Sequence, residues 1–280
     1  MNRFEIESIR KARDYNVIKS NDLVLKSRYH FSLIAQKSIA YICSMIRPSQ
    51  NDRSGFVLEY EFDILEYASI CGISNSGTLY HDVKSALKNL RDSSMWLTLP
   101  NGSETLVGWL DRVTIDEGCG KVKVKIDDRL VPYLFDLQNR YLCYGLKNIL
   151  CMRSKFSIRL YEMFRAYYGF ESAVHDNRPR IARLQEPVPY EWKIDIDELK
   201  RKLMVDTIKS YSDNGLFKAK VLEPACREIN RYSDIYFEYE MIKTGKKVTD
   251  VRFTINFKNM LERTYTEAKA EQTLETSERK

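Results

Sequence analysis

The 280-residue chain carries 45 Lys or Arg against 39 Asp or Glu, a formal charge of +6, and 44% of its residues are apolar. That length and apolar content suit two domains, each with its own core. No apolar run approaches the length of a bilayer span, and the opening MNRFEIESIRKARDYN mixes charges with no apolar centre, so neither membrane insertion nor secretion is supported and the cytoplasm is the expected compartment.

The charge is unevenly spread. Residues 138–183 hold nine Lys or Arg and three Asp or Glu, an excess equal to that of the whole chain. Such clustering favours a polyanionic partner. Six cysteines, Cys43, Cys71, Cys119, Cys143, Cys151 and Cys226, include no pair at the spacing of a zinc knuckle, and several fall in apolar helical patterns, so most read as reduced core residues.

In chain order, Phe31 to Ile46 has helical periodicity, with Ile34, Ile39, Ile42, Cys43 and Ile46 on its buried side, and it ends at Arg47-Pro48 and the polar tract SQNDRSG. A helix-turn-helix pattern follows. Phe62 to Cys71 makes a short helix, Gly72 to Ser76 a turn, and Gly77 to Leu90 a second helix with Leu79, Val83, Ala86, Leu87 and Leu90 inward. Met95 to Leu99, the turn Pro100-Asn101-Gly102-Ser103 and Thr105 to Ile115 then read as a hairpin in the position of a wing. A third strand, Val122 to Ile126, and a helix from about Asp127 to Asn139 close this half.

The second half repeats the plan in different residues. Ser154 to Tyr168 is a helix with Phe156, Leu160, Phe164 and Tyr167 on one side, and a Pro- and Arg-rich loop leads to a short strand, Trp192 to Ile194. Asp195 or Asp197 caps a helix through Leu203, and the linker MVDTIKSYSDN leads to the most informative stretch, Gly215 to Phe257. Its first part, Leu216 to Asn230, is a helix with Phe217, Val221, Ala225 and Ile229 on one face and Lys220, Arg227 and Arg231 on another. Pro224 lies deep in it, where it removes a hydrogen bond and clashes one turn back, so a kink or a later start is expected. Two alternating runs follow, Ile235, Phe237, Tyr239 and Met241, then Val251, Phe253, Ile255 and Phe257, joined by a turn at Thr244-Gly245. Helix then hairpin is the order by which a winged helix enters a DNA groove. The domains expected are residues 1–140 and 141–258, the second carrying the sequence-specific reader, with 259–280 a tail that is either a frayed helix or disorder.

Each cationic group has a bland competitor. Lys218, Lys220, Arg227 and Arg231 form either a DNA-facing or a merely solvated helix face, and Glu223 and Glu228 in the same helix weaken its field. Lys246 and Lys247 at the hairpin tip suit phosphate or the minor groove, or simply keep a turn soluble. In the first half Thr78, Lys84, Lys88 and Arg91 are either phosphate contacts or ordinary surface. Arg153, Lys155 and Arg159 open the connecting helix, where cations oppose the dipole; this points to an external anion such as phosphate.

Catalysis finds little support. His30, His81 and His175 are scattered, so a nicking tyrosine has no metal beside it, and Tyr41, Tyr161 and Tyr167 fall on apolar helical faces as core residues. Neither GxxxxGK[ST] nor GxGxxG follows a strand. No cofactor, metal or catalytic residue is expected.

Three segments carry a resemblance: VIKSNDLVLKSRYHFSLIAQKSIAYICSMI (Val17 to Ile46), SIRLYEMFRAY (Ser157 to Tyr167), and VLEPACREIN (Val221 to Asn230) with the later TGKKVTDVRFTINF. Together, with Ser20-Asn21-Asp22-Leu23 and Arg159-Leu160-Tyr161-Glu162 the most specific parts, they resemble the RepB- or RepE-like (Rep_3) initiators of iteron-bearing plasmids over Val17 to Phe257. The resemblance implies an α+β chain of two tandem winged helices, able to reach successive major grooves about 34–36 Å apart. It implies monomers that bind direct repeats of double-stranded origin DNA, and dimers, joined through the first domain, that repress the protein's own promoter. Partners would be the host initiator and replicative helicase. It also places base reading at the start of the second recognition helix, hence at Lys218 and Lys220, although a lysine lacks the fork with which Arg reads guanine. A dedicated repressor built from the same two domains is the alternative.

Overall fold

A computed structural model describes residues 15–46, 57–135, 137, 141–175 and 189–277. The chain divides into two compact units, Met1–Leu150 and Cys151–Lys280. This corrects the expected division at 140/141. Strand Tyr141–Gly145 pairs antiparallel with Asn16–Ser20, placing Cys143 opposite Ile18, so these residues complete the first unit rather than begin the second.

In the first unit, β1 (Asn16–Ser20) leads into α1 (Asn21–Lys26), where the Ser20 hydroxyl accepts the Leu23 N–H at 3.0 Å as an N-cap. After β2 (Ser27–Arg28), α2 (Leu33–Met45) is the central helix, buried along most of its length. Strand β3 (Glu59–Asp63) includes Phe62, so the helix expected from that residue begins only at Ile64; Asp63 caps it by accepting the Leu65 and Glu66 N–H groups. This α3 (Ile64–Cys71) ends at Gly72, whose φ of 73° favours glycine. α4 (Leu79–Asp92) buries Leu79, Val83, Leu87 and Leu90, as the periodicity foretold, with Ala86 half-buried. Around Tyr41, Phe62 and Tyr67 the rings pack edge-on and stacked, and the Tyr67 hydroxyl shares a 2.6 Å hydrogen bond with Ser38.

The wing of this unit is not the expected hairpin. Thr105 to Ile115 is two strands, β5 (Glu104–Gly108) and β6 (Leu110–Asp116). β5 pairs with β4 (Ser94–Thr98), which pairs with β2, whereas β6 joins β7 (Lys121–Ile126) and β3 in a separate sheet. The chain changes sheets at Gly108-Trp109. The strand order β3-β7-β6 therefore holds the hairpin that corresponds to a wing, β6–β7, and β4–β5 is an extra ribbon. The helix expected over Asp127 to Asn139 is also much shorter. A turn of 3-10 helix (Asp128–Leu130) and α5 (Val131–Leu134) suffice before the chain returns to lay β8 (Tyr141–Gly145) beside β1, and α6 (Lys147–Leu150) ends the unit. Part of that expectation, like the polar tract after Ile46 and the Pro- and Arg-rich loop, lies outside the described residues.

In the second unit, α7 (Lys155–His175) is followed by β9 (Tyr190–Asp195) and α8 (Ile196–Lys202). Of the two candidate caps Asp195 does the capping, accepting the Glu198 N–H at 2.8 Å. The recognition-helix segment runs through α9 (Asn214–Phe217), a π-helical turn (Lys218–Leu222) and α10 (Glu223–Tyr232). Pro224 explains that turn. It has no N–H to give, and in a regular α-helix its ring would strike the Lys220 carbonyl. The wider turn, in which the Glu223 N–H reaches back five residues to the Lys218 carbonyl, takes up the conflict. Phe217, Val221, Ala225 and Ile229 are all fully buried as expected, and the residue the π-turn adds to that face is Leu222.

β10 (Ile235–Thr244) and β11 (Lys247–Phe257) form the long hairpin, and β9 pairs with the outer side of β11. Gly245 has φ 63° at the first central position of the two-residue turn, the type II′ pattern. Inside, Phe164, Trp192, Phe237 and Phe253 form one aromatic cluster with centroids 4.7–6.0 Å apart. Residues 259–277 are not merely a frayed tail: α11 (Met260–Ser277) packs on α10, and Asn259 and Glu262 open it with a reciprocal capping box at 2.9 and 2.8 Å.

Candidate nucleic-acid interface

Lys218, Lys220, Arg227 and Arg231 all reach solvent along the recognition segment, as do Lys246 and Lys247 at the hairpin. Lys218 lies 3.8 Å from Glu223. Lys220, Arg227, Lys246 and Lys247 have no carboxylate at ion-pair distance among the described residues, and Arg231 lies over the ring of Tyr232 at 5.3 Å. The second unit thus presents cations whose charge is uncompensated nearby.

Glu228 does not oppose Arg227 and Arg231 as expected. Its carboxylate turns away and accepts the backbone N–H groups of Arg153 (3.2 Å) and Ser154 (3.1 Å), just before α7. The same contact changes the setting of Arg153, Lys155 and Arg159. The anion that a helix start attracts is supplied from within, by Glu228. Arg153 is exposed, but Lys155 is half-buried against Phe156, with desolvation holding its ammonium below the usual lysine range, and Arg159 is 4% exposed. Arg159 is inside because α7 is buried on every side from Ser157 to Phe164, and a guanidinium there cannot meet a duplex.

Acidic groups confine the rest of the hairpin. Glu238 and Glu240 line a groove of about 710 Å³ between the helix start and β10, together with Lys218, Tyr239 and Lys243, and Arg252 is 3.4 Å from Glu240. Cationic character is therefore concentrated at the tip.

In the first unit the candidate cations Lys84, Lys88 and Arg91 are compensated. Lys84 pairs with Glu117 in the β6–β7 turn, Lys88 with Asp92 at 2.6 Å, and Arg91 with the same Asp92 at 3.2 Å; the two partners hold its carboxyl below the usual carboxylate range. Thr78, exposed at the start of α4, donates to Asp82 at 2.9 Å. A phosphate arriving here competes with a carboxylate at each group. Exposed lysines missed in the sequence stand along β7, where Lys121 and Lys123 alternate with buried Val122 and Val124, and period-two spacing could have found them.

The six cysteines are free thiols; Cys43, Cys71 and Cys151 are buried, burial pushes Cys71 up to about 11, and Cys119 is an exposed exception to the expected core placement. Tyr41 and Tyr161 are core residues, and Tyr167 stacks on Trp192. Among the described residues no cluster of His, Cys, Asp and Glu could hold a metal, and no helix is long and apolar enough to cross a membrane.

Each unit therefore carries a strand, then helices, then a hairpin whose second strand pairs back with the first strand, the β4–β5 ribbon being an insertion in the first unit. Residues 16–165 match the family described as "Initiator Replication protein, WH1", and residues 195–255 match "Initiator Rep protein, WH2". The chain belongs to the Rep_3 family of plasmid replication initiators. Its α+β architecture is two winged-helix domains, as the resemblance implied. Among solved structures, Pi initiator protein, crystallised in complex with iteron DNA, has a similar fold at TM-score 0.64 and 18% identity, covering 88% of this chain and 98% of that one. Domains 2 and 3 of RctB align at 13% identity with a TM-score of 0.44, over 82% of this chain and 85% of theirs. An uncharacterised 27.6 kDa protein of Escherichia coli is 22% identical over 242 residues, 82% of this Rep_3 chain and 91% of the relative.

Proposed function

We propose that this initiator binds direct repeats of double-stranded DNA at its plasmid origin as a monomer, with the second unit as sequence reader. The observation that carries this is the set of uncompensated cations, Lys220, Arg227, Lys246 and Lys247, on one recognition segment and its hairpin tip. Arg231, over the Tyr232 ring, and Lys218, 3.8 Å from Glu223, lie on the same segment. Phosphate contacts supply most of the affinity, and side chains at the start of the segment, Lys218 and Lys220, supply the sequence choice. The first unit, whose Thr78, Lys84, Lys88 and Arg91 already have internal partners, makes weaker backbone contacts and joins dimers that repress the initiator's own promoter. Arrays of bound monomers bend the DNA, strain adjacent A·T-rich duplex and offer a surface to the host initiator and replicative helicase. The protein acts by binding and remodelling rather than by catalysis.

The test is a footprint of the purified full-length protein on the DNA flanking its own gene, with replication of a plasmid carrying only that gene and its flanks. Protection of tandem repeats together with autonomous replication is expected. Protection confined to an inverted repeat at the promoter, without replication, would make the protein a dedicated repressor instead.

A further inference from the structure

Lys258 follows β11 directly and is only 6% exposed, a position that an ammonium tolerates only when its hydrogens are bonded. They are. Its Nζ donates to the carbonyl oxygens of Asn230 (2.6 Å) and Ser233 (2.8 Å) and to Thr266 Oγ1 (3.0 Å), three acceptors for three hydrogens. Asn230 and Ser233 belong to the last turn and C-cap of α10, where carbonyls lack helical partners and the dipole is negative. Thr266 lies on α11.

The same end of α10 is fastened to the hairpin. The Asn230 side chain donates to the Phe237 carbonyl at 2.9 Å and accepts the Phe237 N–H at 2.8 Å, filling a place on β10 that a neighbouring strand would fill. Around Lys258 stand Asp234 and Glu262, which favour its charge, and Lys269, which opposes it, while Arg227 and Arg231 line the same cleft. Asp234 is already taken up by the Tyr161 hydroxyl (2.8 Å) and Arg165 (2.5 Å), and Arg263 donates to the Lys258 carbonyl at 2.8 Å.

We propose that Lys258 is a positioning residue for sequence recognition, a cation that with α11 locks the end of α10 to the root of the hairpin and so fixes the angle at which both meet a duplex. This rests on the reading of the second unit as sequence reader. Attraction of exposed cations to phosphate tolerates a loose angle, whereas reading base edges does not. Breaking the lock lowers the preference for the right sequence and leaves the salt-dependent affinity for any sequence in place. Desolvation holds the Lys258 ammonium down at about 8, and the neutral amine has two hydrogens for its three acceptors, so the lock loosens above that pH.

The experiment measures binding of the full chain to a duplex carrying a repeat from its own origin and to a scrambled duplex, at pH 7 and pH 9. The wild type, Lys258→Met and Thr266→Val are compared, with melting curves for each. Expected is a preference reduced about tenfold at pH 7 in Lys258→Met and no longer pH-dependent, a smaller loss in Thr266→Val, a wild-type preference that falls toward pH 9, and unchanged affinity for scrambled DNA. Thr266→Val keeps the lysine and decides the matter if Lys258→Met fails to fold. A preference unchanged in Thr266→Val, a wild-type preference flat in pH, or equal losses on both duplexes would overturn the proposal. A wild type with no preference for its own repeats would overturn the sequence-reader reading itself.

Discussion

Replacing Glu228 by Ala separates its two available roles, as a charge beside the recognition helix and as a cap for its neighbour. The carboxylate holds the N–H groups of Arg153 and Ser154, donors that α7 cannot satisfy itself. Hydrogen bonds to a charged acceptor contribute about 1.5–3 kcal/mol each when buried. Arg153 is exposed and Ser154 half-buried, so water replaces about half of what is lost and the two bonds together contribute about 1.5 kcal/mol. Adding about 0.5 kcal/mol for the helix dipole gives a loss of about 2 kcal/mol for the second unit. Alanine is no worse a helix former than Glu, so α10 itself should not weaken. For a unit of this size the melting temperature should fall by about 5–10 °C, measured by calorimetry on the full chain. Glu228→Gln, which keeps an oxygen but not the charge, should lose roughly half as much, and affinity for scrambled DNA should hold or rise in both variants. Stability of Glu228→Ala within about 0.5 kcal/mol of the parent would refute the capping account.

Four further outcomes are expected. Changing Lys246 and Lys247 to Ala should weaken binding to every sequence and flatten the salt slope by about one to two units, whereas Lys220→Ala should relax discrimination by about 1–3 kcal/mol; titrations at several salt concentrations distinguish them. Lys88→Ala should leave DNA affinity nearly unchanged, because Asp92 already holds that ammonium at 2.6 Å, and a flattened salt slope would contradict this. Phe253→Ala, at the centre of the aromatic cluster, should cost about 3–5 kcal/mol in urea unfolding. Lys258 also gives stability a pH dependence. Losing the proton gives up one hydrogen bond of the lock but relieves a larger desolvation cost: the folded value of about 8 lies below the ordinary 10.5, so between these the unfolded chain binds more protons and stability rises with pH, by on the order of 2 kcal/mol at pH 9.5, a rise that Lys258→Met should lack.

Local chemistry carried much of this fold. Alternation from Ile235 to Phe257 marked the hairpin, Gly245 its turn, and Pro224 the irregular helix, because each acts through neighbours in sequence. The failures involve distant partners. Alternation breaks at Trp109-Leu110, both buried, and at the bulge before Arg112, but a break of that kind does not say that the chain leaves one sheet or which strands it joins next. Tyr141–Gly145 earns its strand only from Asn16–Ser20, far away in the chain. Arg159 and Lys155 looked accessible because a helix start usually is, yet Glu228 comes from another helix to occupy it. The start of α11 was readable: Asn259 followed by Glu262 is a capping-box spacing. Lys258, one residue earlier, has no such signal, as its role depends on carbonyls at the end of α10.

Pairing of Asn16–Ser20 with Tyr141–Gly145 also sets a timetable for the growing chain. The partners are separated by more than a hundred residues, so the earliest strand waits, unpaired, while all of α2, α3, α4 and the two intervening sheets are synthesised. Closing so long a loop is entropically slow, and a waiting strand is open to pairing with another chain. The first unit can therefore become complete only once Gly145 has emerged, and a nascent chain stalled before that point exposes an edge available to a second nascent chain.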